Sequence, residues 1–296
     1  MSKRNHHLQP NFYLKGFRSD PDEKNPKVWV YEKGKPFYDG KTEQFQNPRH
    51  LTTEKAARKK DFYAFVKEDG IKEYEKYENL LRDNFEEPAK PVLEKLRRFE
   101  IIDDKEKEIF SLYVASMITR TESAKNIYLK TVEEKASSMN EDYQKTLKKE
   151  ENKIKITEII TSSKEDLKHG EFFPKSIIRM AENISDRFIN RMYRRFLIAP
   201  DNMPFLTSDK PVFYTKLDEI RSEVIFPISS KVMFSASWID FTNKYWKKEE
   251  NEFWQVNDET VVRKRKCIVS NAIKEVYFSK KTKWLVEFVN KRAGTL

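Results

Sequence analysis

The chain has 296 residues, with 58 Lys plus Arg against 48 Asp plus Glu, a formal net charge of +10, and only 6 Gly and 1 Cys. So few glycines, none of them grouped, leave no phosphate-cradling loop or dinucleotide-binding turn, and the single thiol, Cys267, excludes disulfide frameworks, zinc knuckles and iron–sulfur clusters. The basic excess consists of 41 Lys and 17 Arg, a Lys-dominated balance that serves solubility as readily as phosphate binding.

No apolar run approaches the length of a membrane span, and the opening Ser-Lys-Arg-Asn-His-His has no signal-peptide apolar stretch, so a soluble cytoplasmic protein is expected. Pro10 suits the start of a helix of about two turns to Phe17. Val28 and Val30 alternate with Trp29 and Tyr31, and Gly34 opens a turn into Phe37 and Tyr38, which predicts a hairpin. Asn47-Pro48-Arg49-His50 reads as loop, Asp61 to Val66 as a third strand, and Asp69-Gly70 as a turn.

From residue 71 the spacing becomes helical through Ile71, Tyr74, Glu78, Leu81 and Phe85, with a kink or break expected at Pro88 and Pro91. Asp103 or Asp104 caps a long, nearly all-apolar helix through Arg120, and residues 133–155 predict a charged, solvated helical arm. A helix over 176–197 brings Arg187, Arg191 and Arg194 or Arg195 onto one flank, either as stems pairing with carboxylates or as a phosphate-binding ridge. Short strands return after Pro200. Asn257 or Asp258 then caps a helix with Val261, Val262, Ile268, Val269 and Ile273 inward and Arg263, Lys264 and Lys266 outward, before a last strand at Val276–Phe278. The fold class is therefore α+β. One domain is expected, with a β-rich module over 1–70, a helical middle over 71–198 and a β-rich part over 199–296 whose strands share a sheet with the first.

Three of the four histidines, His6, His7 and His50, lie in the first fifty residues. Imidazole suits proton transfer near neutral pH, but adjacent residues diverge in direction, so one of His6 and His7 enters a site and the other is structural or exposed. The segment Phe205-Leu206-Thr207-Ser208-Asp209-Lys210-Pro211-Val212 holds Asp209 at a defined bend. Such a carboxylate either orients a histidine or a cation, or satisfies the backbone of its own turn together with Ser208. No H-E-x-x-H or G-x-S-x-G is present, so a divalent metal, where one binds, is held by His and carboxylates gathered by the fold.

His6-His7-Leu8-Gln9-Pro10-Asn11-Phe12-Tyr13-Leu14-Lys15-Gly16-Phe17 resembles the opening H-H-x-x-P-x-F-Y-L-x-x-F of the bacterial family known as domain of unknown function 4238. Asp61-Phe62-Tyr63, Glu78, Glu86, Arg120-Thr121, the Thr-Ser-Asp-x-Pro segment, Phe226-Pro227 and Ala272 to Ser279 follow in the family's order. Met117 and Glu122 stand where the family usually has Gln and Pro. The resemblance implies a stand-alone bacterial protein whose two polar motifs belong to one design, and supplies no activity.

These residues together lead to a nucleic-acid-directed reading, a phosphodiester hydrolase of a defence or mobile-element kind. In it His6 or His7 is general base or metal ligand, Asp209 with Ser208 orients it, Glu78 or Glu86 adds a carboxylate, and Arg120 with Lys210 stabilises phosphate charge. Arg187, Arg191, Arg194, Arg195, Arg263 and Lys264 hold the strand. The alternative is a non-catalytic binding or scaffold protein in which the same His and Asp groups form a buried network. A third reading, a small-molecule enzyme, requires a pocket with few basic residues at its mouth.

Overall fold

The computed structural model describes residues 5–20, 24–34, 37–38, 43–44, 47–66, 71–131, 134, 172–238 and 253–291. The N-terminal part runs β1 (Asn5–His7), α1 (Asn11–Leu14) continued by a 3-10 turn (Lys15–Phe17), β2 (Lys27–Glu32), β3 (Phe37–Tyr38), β4 (Glu43–Gln44), β5 (Arg49–Thr52), β6 (Arg58–Lys60), β7 (Phe65–Val66) and β8 (Lys72–Glu73). Helices follow: α2 (Lys76–Leu81), a π turn (Arg82–Glu86), α3 (Glu87–Arg97), α4 (Asp104–Thr119), α5 over 122–131 and α6 (Phe172–Arg187). The C-terminal part holds β9 (Tyr193–Ile198), β10 (Thr207–Ser208), β11 (Phe213–Tyr214), β12 (Glu223–Pro227), β13 (Val232–Ser237), β14 (Phe253–Gln255), α7 (Asp258–Asn271), β15 (Glu275–Phe278) and α8 (Lys283–Lys291). The class is α+β, and among the described residues no helix is long and apolar enough to cross a membrane.

Both ends of the chain meet in a four-stranded antiparallel sheet of order β10-β15-β2-β5. Val30 lies opposite Tyr277 on one side and Arg49 on the other. The remaining C-terminal strands form their own sheet, β11-β12-β13-β9-β14. Period-two alternation divides the side chains of both sheets between two apolar clusters. Val28, Val30, Tyr277, Val224, Phe226 and Phe234 enter the larger, with α1 to α4 and α6, while Tyr31, Val276, Phe278, Ile225 and Met233 enter the smaller, under α7 and α8. Strands buried on both faces are apolar throughout, which is why Val224-Ile225-Phe226 and Val232-Met233-Phe234 read as unbroken runs.

Several sequence expectations are corrected here. β2 does not pair with the 37–38 strand; its partners are β5 and β15, and β3 pairs with β4. Residues 49–50, expected in a loop, belong to β5, where Arg49 binds the carboxylates of Glu32 and Glu275 across the neighbouring strands. Asp61 has φ 55°, which turns the chain and delays the expected strand until Phe65. The helix expected over 176–197 ends at Arg187, and residues 193–198 pair with β13 instead. Its aromatic and apolar residues gain more in a sheet than a further helical turn offers. Val262 and Ile273, expected inward, are 37% and 42% exposed. Asp103 caps α4 as expected, in a reciprocal box with Glu106. The Asp69-Gly70 turn and, apart from residue 134, the arm over 133–155 lie outside the described residues.

Gly16 lies at a close approach between the N-terminal segment, α3 and the turn after β12. A Cβ there would lie 2.7 Å from the Ile228 carbonyl oxygen and 2.8 Å from Arg97 Nη2. The same carbonyl accepts from Arg97, and the Gly16 carbonyl accepts from the Ser230 N–H at 2.9 Å. Gly16→Ala is expected to cost about 1–3 kcal/mol through forced backbone displacement; an unchanged urea midpoint would refute this account of the contact.

Candidate functional site

β1 pairs antiparallel with β6, placing His6 opposite Lys59 and His7 opposite Arg58. Alternation along the strand sends the two imidazoles to opposite faces. His6 is fully buried, with Nε2 2.8 Å from the Tyr74 carbonyl and Nδ1 3.0 Å from the Tyr63 amide. A carbonyl only accepts and an amide N–H only donates, so the proton sits on Nε2 and both nitrogens are occupied. His7 is part-exposed, and its Nε2 lies 3.0 Å from both Arg58 Nε and the Glu54 carbonyl. One nitrogen cannot accept from Arg58 and donate to Glu54 together. Accepting the charge-assisted bond leaves the proton on Nδ1, which faces Glu78 Oε1 at 3.7 Å.

His7 and Glu78 stand in the wall of a cleft of 470 Å³ formed by β1, α1, α2, the π turn and α3. The same wall carries Phe12, Lys15, Tyr63, Glu75, Asn79, Arg82, Glu86, Glu87 and Lys90. Glu78, Arg82 and Glu86 are spaced by four, and an α-helix drifts by about 40° over each such step. The wider π turn winds that drift back, so Glu86 returns to the face of Glu78. Pro88 causes the widening, because it has no N–H to give and its ring excludes the carbonyl four residues earlier. No break occurs at Pro88 or Pro91, as the helix runs on from α2 through the π turn into α3; the π turn ahead of Pro88 is the local distortion, and it helps to assemble the cleft.

Arg120, at the C-terminal end of α4, is buried behind this wall. Its Nη2 donates to Glu86 Oε1 at 2.7 Å and its Nε to the Leu8 carbonyl at 3.2 Å. Burial opposes the guanidinium charge, but Glu86 together with the Tyr63 and Tyr113 hydroxyls more than reverses this and holds the group above its ordinary range. Burial likewise pushes the Glu78 carboxyl up, and His7, with a further contribution from His6, more than reverses this, leaving it below its ordinary value.

The second motif is joined to the first through Gln9 and Tyr13 rather than through a His–Asp pair. Gln9 Nε2 donates to the Asp209 carbonyl at 3.1 Å, and the Tyr13 hydroxyl lies 2.6 Å from Thr207 Oγ1. The Asp209 carboxylate accepts from the amides of Ile273, Lys274 and Glu275 at 2.9, 2.6 and 3.0 Å. Ser208 Oγ donates to the Lys210 carbonyl, whose second partner is Asn271. The expected role of Asp209 and Ser208 in orienting His6 or His7 is corrected accordingly: among the described residues the imidazoles bond other groups, and Asp209 fastens the turn between α7 and β15. Lys210 is half-buried beside it, and burial lowers its ammonium pKa.

The two basic stripes also change. Arg187 and Arg191 are exposed, but Arg194 and Arg195 lie on β9, where alternation separates them. Arg194 is buried and donates to Asn190 at 2.9 Å, while Arg195 stacks over Trp254 at 4.3 Å. On α7, Arg263 is exposed and Lys264, expected outward, is buried against the Glu223 carboxylate. No continuous ridge joins these groups. Among the described residues no cluster of three His, Cys, Asp or Glu is placed to hold a metal ion.

A family described as protein of unknown function (DUF4238) matches residues 5–282. The chain belongs to this family. Both polar motifs and every wall residue of the cleft fall inside the DUF4238 match. No curated protein and no solved structure matches the chain.

The structure thus gathers His7, Glu78 and Glu86 in one cleft wall with Arg120 buried behind it, turns His6 to the opposite face of β1, and leaves Ser208, Asp209 and the arginine stripes in other roles. Sequence reasoning gave no role to Lys15, Arg82 and Lys90, which carried no signal separable from the many other basic residues. Tyr63 was marked only by the Asp-Phe-Tyr match.

Asp209→Ala removes the acceptor of three amides and is expected to lower unfolding free energy by about 1–3 kcal/mol, measured by urea denaturation; a wild-type midpoint would contradict the fastening role. The lowered Glu78 pKa implies stability that is present above the unfolded carboxylate range and is lost as pH falls through the folded value. Glu78→Gln is therefore expected to flatten the acid limb of the stability–pH curve, and a limb of unaltered slope would rule this out.

Proposed function

We propose that the cleft is a general acid–base site for a small polar substrate, with His7 and Glu78 as the working pair and hydrolysis as the reaction class. The observation that carries this is the His7 Nδ1 to Glu78 Oε1 approach of 3.7 Å in the wall of a 470 Å³ cleft. The separation admits the small closure that binding produces, and apo distances at such pairs are often long. In this reading the Nδ1 proton is shared toward Glu78, while a ring turn away from Arg58 frees Nε2 to take a proton from water or substrate. Lys15, Arg82 and Lys90 hold polar or anionic groups of the substrate.

A small substrate is favoured over a nucleic-acid strand by local charge. Glu75, Glu78, Glu86 and Glu87 line the cleft together with Lys15, Arg82 and Lys90, a balance that disfavours a polyanion whose binding relies on clustered cations. The hydrolytic chemistry of the histidine and carboxylates is kept, and the target becomes compact.

Turnover of a panel of small esters, amides and phosphoesters, run beside labelled single- and double-stranded DNA and RNA, tests the reading. His7→Ala and Glu78→Gln are each expected to lower turnover of a small substrate by about 10²- to 10⁴-fold while remaining folded at the assay temperature. Strand cleavage that survives both substitutions, or activity on no small substrate, sinks it.

A further inference from the structure

Val262, Arg265 and Lys266 stand at positions i, i+3 and i+4 on α7, and Trp284 and Phe288 at i and i+4 on α8, so each set shares one helix face. Together with Met203, in the turn before β10, they line a second open cavity of 280 Å³ that shares no residue with the wall of the His7 cleft. Val262 and Trp284 remain 37% and 42% exposed. A valine turned outward on one wall and an open indole on the other leave a concave apolar surface uncovered, the ordinary make of a small-ligand site.

The lining holds two cations and no carboxylate. Arg265 is 5% exposed, and its guanidinium lies over the rings of Phe278 and Trp284, 5.4 and 5.2 Å from their centroids. Its Nε and Nη2 both donate to the Pro204 carbonyl, and its Nη1 reaches the Met203 sulfur, a weak acceptor, at 3.8 Å. All of these partners are neutral. Among the described residues no carboxylate lies within ion-pairing distance of Arg265 or Lys266; Asp258, two turns earlier on α7, acts on the guanidinium only from further away. Arg120 has Glu86 as its counter-charge, whereas Arg265 has none in contact, and burial draws its pKa down to about 10. A cation so placed attracts an anion more strongly than one in open water does, because less solvent screens it.

We propose that this cavity binds a small carboxylic acid with a flat apolar body, the body lying against Met203, Val262, Trp284 and Phe288 and the carboxylate turned to Arg265 and Lys266. The apolar walls supply affinity for the body, and the two cations supply the preference for an anion over its neutral analogue. Size sets the class: the cavity suits about one aromatic ring with a short acidic arm and is too narrow to seat a partner helix. The site stands apart from the acid–base cleft and does not depend on what that cleft hydrolyses.

Calorimetric titration of the full chain with phenylacetate, phenylacetamide, acetate and a blocked tripeptide carrying Phe between two Glu tests the proposal. Phenylacetate is expected to bind roughly tenfold more tightly than phenylacetamide, the difference that a charge-assisted contact makes, and more tightly than acetate, which lacks the body. Val262→Asp places a carboxylate one turn from Arg265 at an exposed position, so it is expected to melt at or above the wild-type temperature and to abolish phenylacetate binding. Lys266→Gln, on the surface, is expected to weaken phenylacetate by roughly threefold and to leave phenylacetamide unchanged. Equal affinity for phenylacetate and phenylacetamide, no phenylacetate binding, or binding that survives both substitutions overturns the proposal. So does tighter binding of the tripeptide, which would mark a peptide-docking site, or a dimer in sedimentation that Val262→Asp dissociates, which would mark an interface between two copies of the chain.

Discussion

The Tyr13 hydroxyl is the contact on which the rest of the arrangement depends. It lies between Thr207 Oγ1 at 2.6 Å and the Pro227 carbonyl at 2.8 Å, while its ring stacks on Phe226 at 5.1 Å. A buried phenol with two satisfied partners is specific as well as favourable, because any other seating leaves a polar group stranded. The contact fixes α1, a helix of only four residues that has little stability of its own. Once α1 is fixed, Phe12 and Lys15 occupy the cleft wall, and β1 before it presents His6 inward and His7 outward.

The cleft then follows from two features of the adjacent chain. One is strand alternation, which gives two identical neighbouring side chains different work: His6 is consumed by two backbone partners, and His7 is left to the cleft. The other is the π turn ahead of Pro88, which realigns three charged residues spaced by four. Arg120 links the two features, binding the Leu8 carbonyl beside the histidines and Glu86 on the π turn. Met117 and Glu122, where the family usually has Gln and Pro, do not disturb this link: Met117 is core, and Glu122 pairs with Lys59 at the surface.

The formal charge of +10 describes the cleft poorly. Basic groups that seemed to form stripes are dispersed by strand geometry or buried against partners. Arg265 is an example, donating to the Pro204 carbonyl beneath Trp284 with burial lowering its pKa to about 10. Net charge governs solubility and long-range encounter, whereas the wall of the cleft carries four carboxylates and three cations.

Local rules were enough to read the α+β class, the Asp103 cap and the apolar core strands, because capping and burial on both faces are written in short stretches of chain. The histidines and Glu78 were legible as candidate residues from their type and position alone. Tertiary structure alone decided which strands pair, so β2 found a partner in β15 near the other end of the chain, Val30 opposite Tyr277, and lost its expected hairpin. It alone turned Arg194 and Arg195 apart, spent the Asp209 carboxylate on three amides, and set Arg120 behind the cleft wall. Each of those outcomes turns on which distant backbone group or side chain lies within hydrogen-bonding reach, and reach is a property of the folded chain rather than of any segment.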